Sequence, residues 1–348
     1  MANNINGLNK IDLIFPYVDN NDPEWQKLYN ENVVKHTSDE GKEWYANSVG
    51  AIRFSQNDML KYLFRGIEKY APWVNRVHMI VQSDSQIPDW INRDEVNIIY
   101  HKDFIPEEYL PTFNSCTIEM FLHNIKDLSE NFIYGNDDFF FISPVNVSDF
   151  FKGNKLVYGI KSRRHRKNWM WDDLRLHCQE LIGCKSTPTV MDIQHIWTPH
   201  NKSLIRELFN KYNKQILESI SKFRKKKNYS QWLFSMYYDK RSRHINKKLP
   251  YIKSGLEDRS IKKALSYNWS FYKAICLNDS FKKCTLKDAV IQKFERLLPN
   301  KCRFEKGYET ATKKGAVKTT PVKKHERTVR EPTSKLLMPK AVRHFYGI

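Results

Sequence analysis

Three stretches of the chain place amide and carboxylate side chains at the end of an apolar run. Asn136-Asp137-Asp138 follows Phe132–Tyr134, Asp19 and Asp22 follow the run from Ile11 to Val18, and Asn278-Asp279 follows Ala274–Leu277. Neighbouring carboxylates repel one another and call for compensating positive charge, which a hard divalent cation held by oxygen ligands supplies. The same residue types also make solvated Asx turns, so Asn136-Asp137-Asp138 reads equally as a metal-binding edge or as a turn between strands, and Asp19 and Asp22 as ligand-facing residues or as turn chemistry ahead of Pro23. His195 and His200 bracket Trp197-Thr198-Pro199; a histidine there can donate to phosphate, move a proton, or simply fill a core position beside the tryptophan. Arg53, Arg65 and the basic runs 161–167, 222–227 and 240–248 form either solvated faces or, through the guanidinium fork, the lining of a diphosphate pocket.

The elements that must carry these residues follow from periodicity. Residues 11–18, 77–81, 96–100, 132–134 and 139–142 are short apolar runs bounded by turn residues and read as strands. Met59, Leu60, Leu63, Phe64 and Ile67 recur at helical spacing up to Pro72, and a second helix over 115–125 starts at Asn114 or Ser115 as N-cap. Strands alternating with helices over the first 155 residues predict an α/β core with a largely parallel sheet. In such open sheets ligands sit beyond the carboxyl ends of strands, where Asp19 and Asp22 fall. From 156 to 264 the composition turns basic and aromatic, and the region reads as a mainly helical insertion. Residues 265–305 complete the core; the helical pattern over 286–298 would be capped nearer Thr285 than Asn278-Asp279. Residues 306–348 hold eleven Lys or Arg against three Glu and read as a mobile tail.

The 348 residues carry 58 Lys or Arg against 39 Asp or Glu, a formal charge of +19, which predicts anionic partners. A chain of this size buries enough apolar surface to fold without disulfides or a structural metal. The six cysteines show no paired or zinc-type spacing, in keeping with reduced thiols and a cytoplasmic protein. The N-terminus MANNINGLNK lacks a signal-peptide layout and no apolar run reaches the ~20 residues of a spanning helix, so membrane contact is expected only at the periphery, through the basic tail at the inner face of the cytoplasmic membrane. No RNP, helix-turn-helix or zinc-finger pattern accompanies the charge, which excludes nucleic acid as the expected partner. Walker A and Gly-x-Gly-x-x-Gly loops are missing, which argues against a P-loop kinase or a dinucleotide-dependent dehydrogenase.

Ordered blocks then resemble a known family. IDLIFPYVDNNDP (11–23) resembles the opening signature of the Stealth sugar-phosphate transferases, a family that includes bacterial capsule and exopolysaccharide phosphotransferases and the animal N-acetylglucosamine-1-phosphotransferase. Arg53-Phe54, the stretch 60–91 and LPTFNSCTIEMFLHNIKDLSENFIYGNDDFFF (110–141) are similar to its long second signature. His195, Pro199, Lys202, Phe223-Arg224 and Gln231 resemble the third, and Ile275–Asp279 with Leu298-Pro299 and Phe304-Glu305 the fourth. The chain departs from the pattern at Asn20, where glycine is common, at Ser221-Lys222, where a histidine often precedes Phe-Arg, and at Gly135, where a larger apolar residue is usual.

The resemblance implies a Rossmann-like glycosyltransferase-type core that moves a hexose- or N-acetylhexosamine-1-phosphate from a nucleotide-diphosphate sugar, a UDP-sugar by expectation, to a saccharide hydroxyl. On that reading Asp137, Asp138 and Asp279 hold Mg²⁺ or Mn²⁺. Asp19 and His195 are the candidates for moving the acceptor's proton. Arg224 acts in catalysis, Arg53 and Arg65 are phosphate or structural cations, and Asp22, Gln86, Asn114, Ser115 and Asn136 border the donor. The rivals are an ordinary glycosyltransferase that releases a nucleoside diphosphate, and a nonenzymatic basic protein for an anionic polymer or membrane.

Overall fold

The computed structural model describes residues 10–33, 48–55, 58–167, 169–184, 189–278 and 284–309. Its strands are β1 (Ile11–Pro16), β2 (Val77–Val81), β3 (Val96–Tyr100), β4 (Asn131–Tyr134), β5 (Phe139–Phe141), β6 (Phe151–Lys152), β7 (Lys155–Tyr158), β8 (Ile160–Arg164), β9 (Thr189–Ile193), β10 (Thr198–Asn201), β11 (His244–Asn246), β12 (Tyr251–Gly255) and β13 (Ala274–Asn278). The fold is α/β. One five-stranded sheet runs in the order β10-β4-β1-β2-β3, with β4, β1, β2 and β3 parallel and β10 antiparallel at the edge. Every residue of β1 and β2 except Pro16 is buried, the mark of strands covered on both faces, and this explains their unbroken apolar runs.

A second sheet, β12-β13-β5, joins residues far apart in the chain: β13 pairs in parallel with β12 and antiparallel with β5. The chain leaves the first sheet at Tyr134 and enters the second at Phe139, so Gly135–Asp138 is the crossing between them. Nothing larger than glycine fits at 135, because a Cβ there would lie 2.2 Å from the Trp197 ring. The tryptophan fills the space that a bulkier residue at 135 would claim.

Helix Leu60–Tyr70 buries Leu60, Leu63, Phe64 and Ile67, the stripe its spacing predicts. Gly66 lets the helix ride on β5, since a Cβ would meet the Phe141 carbonyl oxygen at 2.7 Å. Helix Lys287–Leu297 returns to the same layer, with Phe294 stacked on Tyr62 at 5.1 Å and packed on Phe140 at 5.0 Å. One apolar core runs from Ile11 to Phe304, and a second aromatic cluster joins Trp25, Tyr29, Phe54, Phe113 and Phe223.

The basic half carries more strand than the mainly helical expectation. Helices Met170–Leu181, Lys202–Lys211, Asn213–Ser219, Gln231–Lys240 and Asp258–Ser266 are present, but strands β7 to β12 run among them. The reason is composition: β8, Ile-Lys-Ser-Arg-Arg, has one apolar residue and is held by its pairing with β9, so it carries none of the apolar alternation by which strands are read. Residues 310–348, most of the basic tail, lie outside the described residues. Among the described residues no helix is long and apolar enough to cross a membrane, and none of the six cysteines forms a disulfide.

Candidate active site

A cleft of about 820 Å³ opens across the carboxyl ends of β1 and β4. The chain builds β1, β2 and β3 outward in one direction and then lays β4 on the other side of β1. Loops leaving β1 and β4 therefore diverge, and a crevice opens at this reversal of strand order. Tyr17 and Val18 line it from the end of β1, and Asn136, Asp137 and Asp138 from the crossing after β4.

The acidic wall is built by two sheets meeting. The Leu277 N–H donates to the Asp138 carbonyl at 3.0 Å, continuing the β5–β13 pairing by one rung. That rung brings the Asn278 amide nitrogen to 2.7 Å from Asp138 Oδ2. The same nitrogen lies 3.4 Å from His195 Nε2; since an amide N–H only donates, Nε2 is the acceptor and the ring proton belongs on Nδ1. Burial, reinforced by the positive charges of Lys253 and Arg175, pushes the His195 pKa well below the usual histidine value, so the ring is neutral at pH 7. Beneath this group the Cys276 thiol donates to Asn278 Oδ1 at 3.3 Å, and burial beside Asp138 raises its pKa and keeps it protonated.

The rest of the lining is largely cationic. Arg53, Lys161, Arg163, Arg166, Arg175, Arg224 and Lys253 line the cleft against three carboxylates, Asp137, Asp138 and Asp192. An excess of this kind in a concave site focuses potential on an anion. Arg53 and Arg224 are each held by a neighbouring phenylalanine: Phe54 packs on Trp25 at 5.0 Å and Phe223 stacks on Phe113 at 5.1 Å. Arg224 also lies over the Trp171 ring at 4.5 Å and donates to Ser115 Oγ at 2.7 Å.

Arg163, Arg166 and Arg175 are arrayed by one buried carboxylate. Arg163 donates to Asp172 at 2.7 Å, Arg166 at 3.2 Å and Arg175 at 3.2 Å. Burial acts to raise the Asp172 pKa, but the hydrogen bonds from Arg163 and Arg166 outweigh it and hold the carboxyl far below its ordinary range. Asp192 adds contacts at 3.1 Å to both Arg163 and Arg175. The guanidiniums are thus fixed before any ligand arrives, which lowers the cost of ordering them around an anion.

The structure brings Arg53, Ser115, Asn136, Asp137, Asp138, His195 and Arg224 to this one cleft. It does not bring the other described candidates there. Arg65 makes a bidentate pair with Glu305 at 2.7 and 2.9 Å and donates to the Leu298 carbonyl, so its fork is spent tying the helix Leu60–Tyr70 to the end of the described chain. Asp22 accepts the Glu24 N–H at 3.1 Å at the start of helix Pro23–Val33 and the Gln86 amide at 2.5 Å. Gln86 in turn accepts from the Asp19 N–H and donates to the Asp19 carbonyl; both residues fasten the loop after β1. Asn114 is fully buried, accepts the Cys116 N–H as the N-cap, and donates to the Ser221 carbonyl and Asn228. Asp19 accepts from the Asn21 N–H in an Asx turn outside the lining, although burial together with its charge and that of Asp137 raises the pKa of the cleft residue Tyr17. Asp279 lies outside the described residues.

Sequence reasoning passes over Arg175, Lys253 and Asp192, reaches Arg163 and Arg166 only as members of the basic run 161–167, and takes Asn278 only as the neighbour of Asp279. Lys161 and Arg163 stand two apart on β8, a spacing that points both to one face of a strand, which favours the pocket lining over the solvated face for this run.

Among the described residues no group of three His, Cys, Asp or Glu converges in the way that would hold a metal by itself. Asp137 and Asp138 are hard oxygen donors. Such a set fits Mg²⁺, which is bound through one or two carboxylates together with substrate phosphates.

Residues 53–158, which supply Arg53, Ser115 and the whole Asn136–Asp138 crossing, match the family model described as Stealth protein CR2, conserved region 2. The chain resembles the Stealth family in this region. It is 34% identical over 226 residues to the capsular polysaccharide phosphotransferase cps1A of Actinobacillus pleuropneumoniae, covering 62% of this chain and 60% of that protein. It is 27% identical to the capsular polysaccharide phosphotransferase WcwK of Streptococcus pneumoniae, over 86% of this chain and 99% of that protein. The exopolysaccharide phosphotransferase cps2G of Lactiplantibacillus plantarum is 28% identical over 85% of this chain and 96% of its own length. The chain thus spans about 60% of the length of cps1A and nearly all of the other two. The Stealth region supplies the acidic wall, whereas Lys161, Arg163, Arg166, Arg175, Arg224 and Lys253 come from sequence beyond it.

Proposed function

We propose that this chain is a phosphotransferase that moves a sugar 1-phosphate from a nucleotide-diphosphate sugar, with a UDP-sugar as first choice, to a hydroxyl of a capsular or exopolysaccharide acceptor. The observation that carries the reading is the cleft itself, where paired carboxylates at the end of β4 share one cavity with seven cationic side chains at the reversal of strand order. The names of the relatives support phosphotransfer to a polysaccharide.

In the reaction the acceptor oxygen attacks the phosphorus that bears the sugar. A new P–O bond forms, the bond from that phosphorus to the bridging oxygen breaks, and the nucleoside monophosphate leaves with the bridging oxygen. Negative charge gathers on the oxygens around phosphorus and on the leaving phosphate. Arg53 and Arg224, prepositioned by their phenylalanine neighbours, and the Asp172-held arginines meet that charge without reorganising. His195, neutral, takes the acceptor's proton on Nε2 as the long 3.4 Å contact from Asn278 yields. Mg²⁺ or Mn²⁺ held by Asp137 and Asp138 would neutralise diphosphate oxygens and assist departure of the nucleotide. A cytoplasmic site, with the basic tail drawn to an anionic membrane, places the enzyme beside its donor.

The product identifies the reaction. Purified protein, a nucleotide-sugar panel, an oligosaccharide acceptor and Mg²⁺ should yield the nucleoside monophosphate and a phosphodiester, read by mass spectrometry. Release of the diphosphate would assign an ordinary glycosyltransferase instead.

A further inference from the structure

Two polar side chains at the far end of the cleft have no role in the chemistry just described. Gln82 follows β2 and His101 follows β3, and both line the cleft. The register pairs Pro16 with Ile80 and Val81 with Tyr100, so the next row beyond the strand ends is Val18, Gln82 and His101 side by side. Gln82 Oε1 and His101 Nδ1 are buried and have no hydrogen-bond partner among the described residues. A buried polar atom left unmet costs about 1–3 kcal/mol, and two on adjacent strands facing one cavity mark a place where a ligand completes the bonding.

The ligand group is neutral. Burial lowers the His101 pKa to about 4, and an amide beside a neutral imidazole offers nothing to offset a phosphate charge; the cations lie elsewhere in the cleft. The position also has the right reach. From β4, with its carboxylates, to β3 is three strand spacings, about 14 Å, a span that an extended nucleoside diphosphate bridges.

Resting on the donor reading above, we infer that Gln82 and His101 form the subsite for the donor's nucleobase, with Gln82 Oε1 accepting from a base N–H and His101 Nδ1 bonding to the neighbouring polar atom of the same edge. The diphosphate then runs back across β1 to Asp137 and Asp138. This subsite makes Gln82 and His101 the residues that choose the base.

The test is a calorimetric titration of the full chain with UDP, CDP, GDP, ADP and inorganic pyrophosphate in the presence of Mg²⁺, for wild type, Gln82→Met and His101→Phe. One nucleoside diphosphate should bind wild type more tightly than pyrophosphate. Each variant should lose about five- to tenfold affinity for it, keep its pyrophosphate affinity, and melt no lower than wild type, because the buried atoms removed, Gln82 Oε1 and His101 Nδ1, have no partner among the described residues. Variants that keep the full nucleotide preference would overturn the subsite and leave the donor reading standing. Equal losses for nucleotide and pyrophosphate would also overturn it, by making the two residues structural. If no nucleotide binds wild type better than pyrophosphate, the donor reading falls and takes the subsite with it.

Discussion

Asn278 is the residue through which the second sheet reaches the acidic wall, and replacing it with alanine isolates that link. The change removes a 2.7 Å amide-to-carboxylate hydrogen bond to Asp138 and the longer contact to His195. A hydrogen bond to a charged group contributes roughly 1.5–3 kcal/mol; with Asn278 only part-buried, the global stability change should fall at or below the low end. The larger effect is on orientation, since losing the partner of a metal-binding carboxylate typically costs about 10–100-fold in metal affinity. The assay is nucleoside monophosphate release across a Mg²⁺ titration, with metal-induced thermal stabilisation measured in parallel. Asn278→Ala should need about 10–100-fold more Mg²⁺ for half-maximal rate and recover most of its turnover at saturation. Asp138→Asn should remain inactive at any Mg²⁺ concentration while melting close to wild type. A wild-type Mg²⁺ response in Asn278→Ala, or turnover in Asp138→Asn, would refute the assignment of Asp138 as a ligand held by Asn278.

The His195 ring is depressed by burial and then by Lys253 and Arg175, so the acidic limb of kcat/KM should lie below pH 6.5. Lys253→Met removes a positive charge, favours the protonated ring and should move that limb upward; an unmoved limb would exclude His195 as the group being titrated. Arg65→Met strands the buried Glu305 carboxylate and should lower stability by about 3–5 kcal/mol, while turnover per folded molecule, measured well below the melting point, stays at the wild-type value. A selective rise in KM would return Arg65 to the donor site. Burial pushes the Glu119 carboxyl up to about 7 from 4.5, so the folded state holds its proton more tightly than the unfolded chain. The stabilisation is complete below pH 4.5 and fades as pH rises through 7, a loss of up to about 3 kcal/mol. Urea unfolding at pH 5 and 8 should show that loss in wild type and a flatter dependence in Glu119→Gln; equal slopes would mean that Glu119 does not carry it.

The parts of the site legible in the sequence are those governed by neighbours along the chain. Val77–Val81 and Val96–Tyr100 read as strands because strands covered on both faces must be apolar throughout, and helix Leu60–Tyr70 read from its buried stripe. The Asn136–Asp138 crossing was visible because a polar cluster interrupts two aromatic runs. Arg53-Phe54 and Phe223-Arg224 were visible as pairs, though what makes them pairs is spatial: each phenylalanine enters the same aromatic cluster and aims its arginine at the cleft.

By itself the sequence determined the α/β class, the apolar strands, the acidic crossing and the positive charge, because each depends on residue type and local spacing. Only the tertiary structure decided which charges share a cavity. Arg65 and Arg224 are chemically alike in the chain, yet Glu305 consumes one while Trp171 and Ser115 hold the other at the cleft. Asn278 meets Asp138 across 140 residues of sequence through a single rung of β pairing. Hydrogen bonds and ion pairs act over a few ångströms of space, and the distance between partners along the chain leaves no periodic trace in either segment.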